Sequence, residues 1–152
     1  MVIIGYQGIG KSTLAGKHNC IDLESSNFFD NGVRPDDWYV FYCNIAIHLS
    51  EQGYTVFTSS HKVVRDYLKE HCKEPLYIIC PSTTLKDEWV NKLKKRYEST
   101  KLDKDYKALM NANYNYKTNI NELTNCGINV YQIMSMDYSL RDILLNINKR
   151  GW

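Results

Sequence analysis

Two hydrophobic periods alternate along this chain. Short, nearly unbroken apolar runs occur at Met1-Val2-Ile3-Ile4, at Cys20 to Leu23, within Tyr54 to Ser59, at Leu76 to Cys80 and within Gly127 to Ile133. Between them, apolar residues recur every three or four positions. Trp38, Phe41, Tyr42, Ile45 and Leu49 form one such series, Leu85, Trp89, Val90 and Leu93 another, and Leu140, Ile143, Leu144 and Ile147 a third. The runs predict strands buried on both sides, and the spaced series predict amphipathic helices. Strands alternating with helices predict an α/β fold of three layers, α/β/α, around a five-stranded parallel sheet.

Local signals punctuate these elements. Pro35-Asp36-Asp37 predicts a helix start and Gly53 its end. Ser60 is expected to cap a helix through Val63, Val64, Tyr67 and Leu68, and Thr84-x-x-Asp87 reads as a capping box for the next. Pro81 is expected to end the fourth strand. Residues 25–35 form a long connection rich in turn formers, and its Phe28, Phe29 and Arg34 suit a loop facing a substrate. Lys92 to Lys107 is basic and polar. An Asn/Tyr-rich piece from Asn111 to Tyr116 follows, and then a short helical stretch through Ile120 and Leu123.

One motif carries chemistry. Gly5-Tyr6-Gln7-Gly8-Ile9-Gly10-Lys11-Ser12-Thr13 follows the first apolar run at once and fits G-x-x-x-x-G-K-[ST]. A triphosphate is wrapped by backbone N–H groups, which side chains would screen; Gly5, Gly8 and Gly10 remove them. A helix opening near Lys11 and continuing through Thr13 to Lys17 would turn its positive end toward the anion. The Lys11 ammonium suits the β- and γ-phosphates, and the Ser12 hydroxyl suits Mg²⁺. The nucleotide contacts expected from this segment are Gly5, Gly8, Ile9, Gly10, Lys11, Ser12 and Thr13, with ATP and Mg²⁺ as cofactors.

Composition narrows the picture further. The 152 residues, 43% hydrophobic and 24% charged, make one domain over 1–152. A formal net charge of +2 argues against nucleic acid as a partner. No apolar stretch approaches the roughly 18 residues of a membrane span, and the first run is too short for a signal peptide, so a cytoplasmic protein without a membrane partner is expected. The five cysteines are scattered, form no C-x-x-C pair and read as small core residues. A monomer or a homodimer fits equally well.

The phosphate loop at the start of the chain, the five strand–helix units and the basic excursion before the last strand together resemble the nucleotide- and small-molecule-kinase group of P-loop proteins. That group includes adenylate-type nucleotide kinases, shikimate kinase and gluconate kinase. Ile21-Asp22-Leu23-Glu24 resembles the acidic segment after the second strand of shikimate kinases. Thr58 to Leu68 is similar to the strand-to-helix segment of gluconate kinases, in which a Ser and an Arg face the substrate. Asp22 to Ser26, Trp38, Ser60-His61 and the stretch from Trp89 to Arg96-Tyr97 resemble small nucleotide-kinase-like proteins of bacteriophages, which implies a phage-encoded protein in a host cytoplasm. The resemblance implies strand order 2-3-1-4-5 and a small helical lid over about 92–118 that closes over ATP. In two respects the chain departs from the group: no acidic residue ends its third strand, and its arginine count is low for a nucleotide kinase.

These readings assign roles. Ligands bind outside the carboxyl ends of strands in open α/β sheets, which places Asp22 beside the phosphate loop. There it can hold Mg²⁺ through water, with Ser12, or accept a proton from a substrate hydroxyl. Glu24 would point away if the second strand continued. Arg96 in the lid is expected to act with Lys11 on the transferring phosphate. Arg34 and Arg65 are expected to grip an acceptor's phosphate, with Ser60 and His61 beside it. The expected activity is an Mg-ATP-dependent phosphotransferase, a kinase of nucleoside or deoxynucleoside monophosphates. The alternatives are a kinase of a small hydroxylated metabolite, with Asp22 as base, and an NTP-binding polynucleotide-processing module.

Overall fold

A computed structural model describes residues 1–29 and 31–150, except the side chain of Arg150. Five parallel strands form one sheet: β1 (Val2–Gly5), β2 (Cys20–Asp22), β3 (Thr55–Thr58), β4 (Leu76–Pro81) and β5 (Asn129–Ile133). Their order is β2-β3-β1-β4-β5, as the resemblance implied. Ile3 pairs with Phe57 on one side and Tyr77 on the other, and Ile79 pairs with Tyr131. The six α-helices are α1 (Lys11–Leu14), α2 (Trp38–Glu51), α3 (Lys62–His71), α4 (Lys86–Thr100), α5 (Asp103–Thr124) and α6 (Leu140–Arg150).

The central strands explain the unbroken apolar runs. Val2, Ile3 and Ile4 are fully buried in succession, so both faces of β1 are covered. Phe57, Ile78, Ile79, Leu68, Trp89, Leu123 and the Leu140, Ile143, Leu144, Ile147 series of α6 share that one core. All five cysteines are free; Cys20, Cys43 and Cys80 are buried in the core, and Cys72 and Cys126 are half-buried.

Several local expectations fail for identifiable reasons. The first helix has a single turn, because Ala15 is extended and Gly16, His18 and Asn19 all take positive φ, turning the chain straight into β2. In α2 the buried face is Tyr42, Cys43, Ala46 and Ser50, whereas Phe41 is 67% exposed. His61, rather than Ser60, occupies the N-cap of α3, without a side-chain capping bond. Pro81 is the last residue of β4, at the strand end, where its missing N–H costs no internal pairing. The cap before α4 is Ser82, which accepts from the Thr84 amide at 3.2 Å and starts a 3₁₀ turn, Thr83–Leu85.

The largest difference lies between α4 and β5. The Asn/Tyr-rich piece and the short helix after it are one continuous helix, α5, of 22 residues. Its buried face is Asp105, Leu109, Ala112, Tyr116, Ile120 and Leu123. Tyr116 packs edge-on against Tyr6, ring centroids 5.9 Å apart, and its hydroxyl donates to the Ser82 carbonyl at 2.7 Å. The expected lid at 92–118 is therefore a hairpin of two long helices. No helix among the described residues is long and apolar enough to cross a membrane.

Candidate functional site

The chain from Gly5 to Lys11 turns from β1 into α1 through two left-handed glycines. Gly8 has φ +86° and Gly10, the N-cap of α1, has φ +105°. A Cβ on Gly8 would lie 2.9 Å from Leu93 Cδ2 and 3.3 Å from Trp89 Nε1, so α4 leaves no room for a side chain there. The loop is held from outside by side chains. Trp89 Nε1 donates to the Gln7 carbonyl at 2.9 Å, Tyr138 Oη to the Ile9 carbonyl at 2.9 Å, and Gln7 Nε2 to the Ala108 carbonyl of α5 at 3.0 Å. Among the described residues the amides of Gly8 and Gly10 donate to no backbone carbonyl, which leaves them for an anion.

A cavity of about 890 Å³ opens beside this loop. Gly5, Gly8, Gly10, Lys11 and Ser12 line it. Ile9 does not; its side chain is in the core. Thr13 is exposed and also lies outside the lining. Asp22 and Glu24 line the cavity together, because β2 stops at Asp22 and the chain turns before Glu24 could point away. Arg34, Ser60, His61, Arg65 and Arg96 line it too, so the structure brings the sequence-predicted acceptor and lid residues to one cavity. Lys104, Lys107, Asn111, Asn119 and Glu122 of α5 complete one wall. Sequence reading missed that wall, although positions 107, 111, 119 and 122 follow a helical period that the polar composition conceals.

Charge in the cavity is mostly paired. Arg65, buried, donates to the Ser60 carbonyl at 3.1 Å and meets Glu122 at 3.4 Å. Arg96 Nε meets Asp105 Oδ1 at 2.9 Å, Lys104 meets Glu24 at 3.4 Å, Lys107 meets Asp103 at 3.0 Å and Lys62 meets Asp66 at 2.6 Å. Among the described residues, Lys11 and Arg34 are the two arginine or lysine side chains of the lining with no carboxylate in salt-bridge range.

Arg34 is nonetheless firmly held. Its guanidinium lies between the rings of Phe29, at 4.4 Å, and Trp38, at 4.1 Å. It donates to the Ser25 carbonyl at 3.1 Å, while its buried Nε has no hydrogen-bond partner among the described residues. Trp38 meets the His61 ring edge-on at 5.4 Å, and His61 Nδ1 lies 2.8 Å from Ser59 Oγ.

Burial sets the proton affinities here. It pushes the Lys11 ammonium below its ordinary value, against the pull of Asp22 and Glu24. It raises the Asp22 carboxyl, an effect that Lys11 only partly offsets. Burial also favours the neutral form of Glu24, but Lys104, the Ser26 amide and Lys11 together outweigh it and hold Glu24 below the usual carboxylate value. His61 is lowered by burial and by the Arg34 and Lys11 charges, so it is neutral at pH 7.

The donor set suits Mg²⁺. Ser12 and Asp22 present hard oxygen atoms to the same cavity as Lys11. Mg²⁺ is characteristically held by one or two carboxylates, waters and substrate phosphates, rather than by an all-protein cage. No cluster of three or more His, Cys, Asp or Glu side chains placed to hold a metal occurs among the described residues. Thr58 ends β3, where an acidic residue was missed in the sequence; it is fully buried and its Oγ1 has no partner.

No protein-family model matches this chain, and no curated protein does.

Proposed function

We propose that this chain is an Mg·ATP-dependent phosphotransferase of the P-loop kinase type, with a nucleoside or deoxynucleoside monophosphate as acceptor. The carrying observation is the pair of cations, Lys11 and Arg34, that have no carboxylate in salt-bridge range among the described residues, in one cavity where five other cations have one. Two remaining cations imply two anionic groups from ligands: the transferring phosphates at Lys11 and an acceptor anion at Arg34. The Phe29 ring in the lining suits an acceptor that also carries a planar ring. A cavity of this volume is at the upper end of small-ligand sites and has room for donor and acceptor together.

In this reading the phosphate loop binds and orients the triphosphate through its amides, Lys11 and Ser12. Bound Mg²⁺ supplies charge neutralisation at the phosphates, and Ser12 and Asp22 would hold it. Arg96 adds a second cation from the helical hairpin. Arg34 fixes the acceptor.

A kinase of a small hydroxylated metabolite is the second reading. The raised pKa of Asp22 favours it, because a carboxylate of higher basicity is a better acceptor for a hydroxyl proton. ADP release from Mg·ATP, measured with nucleoside monophosphates, nucleosides, shikimate and gluconate, separates the two. Stimulation by a monophosphate that survives Asp22→Asn supports the first reading. Stimulation only by a non-nucleotide alcohol, abolished by Asp22→Asn, replaces it with the second. ATP binding without stimulation by any acceptor overturns both.

A further inference from the structure

Asp105 is a carboxylate buried to 3% exposure at the turn between α4 and α5. Its two oxygen atoms are both used. Oδ1 lies 2.9 Å from Arg96 Nε as an ion pair, and Oδ2 accepts from the Thr100 hydroxyl. The turn is built around it. Thr100 ends α4, Lys101 follows in the left-handed region at φ +55°, and the Leu102 amide donates to Thr100 Oγ1 at 3.3 Å. The Asp105 amide donates to the Leu102 carbonyl at 3.1 Å.

The consequence lies with Arg96. An ion pair at Nε restrains the guanidinium and leaves its end-on edge, formed by the two Nη groups, for another anion. Among the described residues no second carboxylate pairs with Arg96, and Arg96 lines the cavity with Lys11 and Ser12. Its charge is felt at both Lys11 and Asp22. We infer that Asp105 is a positioning residue, holding the Arg96 guanidinium so that its Nη edge meets the terminal phosphate of a bound nucleoside triphosphate. This rests on the phosphotransferase reading above and extends it to a residue that never touches substrate. Burying this carboxylate has a desolvation cost, which Arg96 and Thr100 offset, and the arrangement pre-orients a cation before ligand arrives.

The test is a double-mutant cycle read by calorimetric titration with Mg·ATP and Mg·ADP. The wild-type protein is expected to prefer ATP over ADP. Arg96→Ala should reduce that preference about tenfold, as expected for one charge-assisted contact to the γ-phosphate. Asp105→Asn should reduce it comparably, and adding Asp105→Asn to Arg96→Ala should change it by less than about twofold. A carboxylate that only braces the turn would instead weaken ATP and ADP equally, or its loss would add to that of Arg96→Ala; either result overturns the inference and leaves the phosphotransferase reading standing. Should Asp105→Asn fail to fold, Thr100→Val decides. It frees one oxygen of Asp105, and an unchanged ATP-over-ADP preference there overturns the inference. A wild-type protein that binds neither nucleotide overturns the phosphotransferase reading itself, and this inference with it.

Discussion

The indole N–H of Trp89 donates to the carbonyl of Gln7 at 2.9 Å. A helix more than eighty positions along the chain thus holds the glycine loop after β1 by its backbone. Trp89 is fully buried and stacks on Tyr138, ring centroids 6.0 Å apart, and the Tyr138 hydroxyl binds the next part of the loop. Trp89→Phe should lower stability by about 2 kcal/mol, through the lost hydrogen bond and the space left behind. It should weaken Mg·ATP binding as well. Urea unfolding and nucleotide titration check both, and an unchanged affinity would separate the loop from its brace.

Tyr116 gives a purely structural prediction. Its hydroxyl donates to the Ser82 carbonyl at 2.7 Å, and the Ser82 amide donates to the Ile133 carbonyl at 2.8 Å, so Ser82 joins β4, β5 and α5. Tyr116→Phe removes one of two donors to the Ser82 carbonyl, which keeps the Leu85 amide at 3.1 Å. A loss of about 1 kcal/mol is expected, with Tm lower by about 2 to 4 °C, as measured by calorimetry. Nucleotide affinity should be unchanged.

Lys11 and Asp22 both weaken the fold they serve. The folded-state pKa of Asp22 is raised, so the folded chain binds a proton more tightly than the unfolded chain. Stability from this group is full below the unfolded pKa and is lost as pH rises through the folded one. The shift already includes the attraction of Lys11, so neutralising Asp22 is a net gain. Asp22→Asn should therefore be more stable than the wild type at pH 7, with the advantage vanishing in acid. Lys11 is lowered, so its penalty is present at pH 7 and disappears as pH rises through the ordinary lysine value; Lys11→Met should be at least as stable at pH 7 and fail to bind Mg·ATP. Urea midpoints across pH, beside titrations with Mg·ATP, test both, and a marked loss of stability in either variant would contradict the burial argument.

Arg34 should act on the acceptor alone. Arg34→Ala removes the guanidinium from between Phe29 and Trp38. The acceptor KM is expected to rise about 10- to 100-fold, with Mg·ATP affinity unchanged. Arg65→Lys tests the competing assignment. Arg65 is already satisfied by Ser60 and Glu122, and a larger effect at Arg65 than at Arg34 would move the acceptor anion to α3.

What was legible from sequence follows the reach of each signal. The turn from β1 into α1 at Gly5 to Ser12 was legible because its glycines sit where the backbone takes positive φ, at Gly8 and Gly10. The strands were legible because Val2-Ile3-Ile4 and Ile78-Ile79 are buried on both sides and cannot be polar on either. The α5 helix was not, because an acid, an alanine and a tyrosine interrupt its buried face, while the exposed Tyr114, at 81%, imitates a core residue. The burial of Arg65 was hidden for another reason. Its partner Glu122 is 57 positions away, and no local pattern reports a pairing across that distance. Arg34 was expected to grip an acceptor from its loop, and its contacts with the Phe29 and Trp38 rings depend on where those rings meet after the chain turns.

The place of β1 between β3 and β4 has a kinetic consequence. The strand that carries the phosphate loop has no sequence-local partner; Ile3 must find Phe57 and Tyr77, across about fifty and about seventy positions. Helices α2 and α3 need only each other to begin forming, but β1 gains nothing until both distant strands arrive. The candidate site is therefore expected to assemble late in folding, because the loop after β1 is not placed until β3 and β4 have both docked.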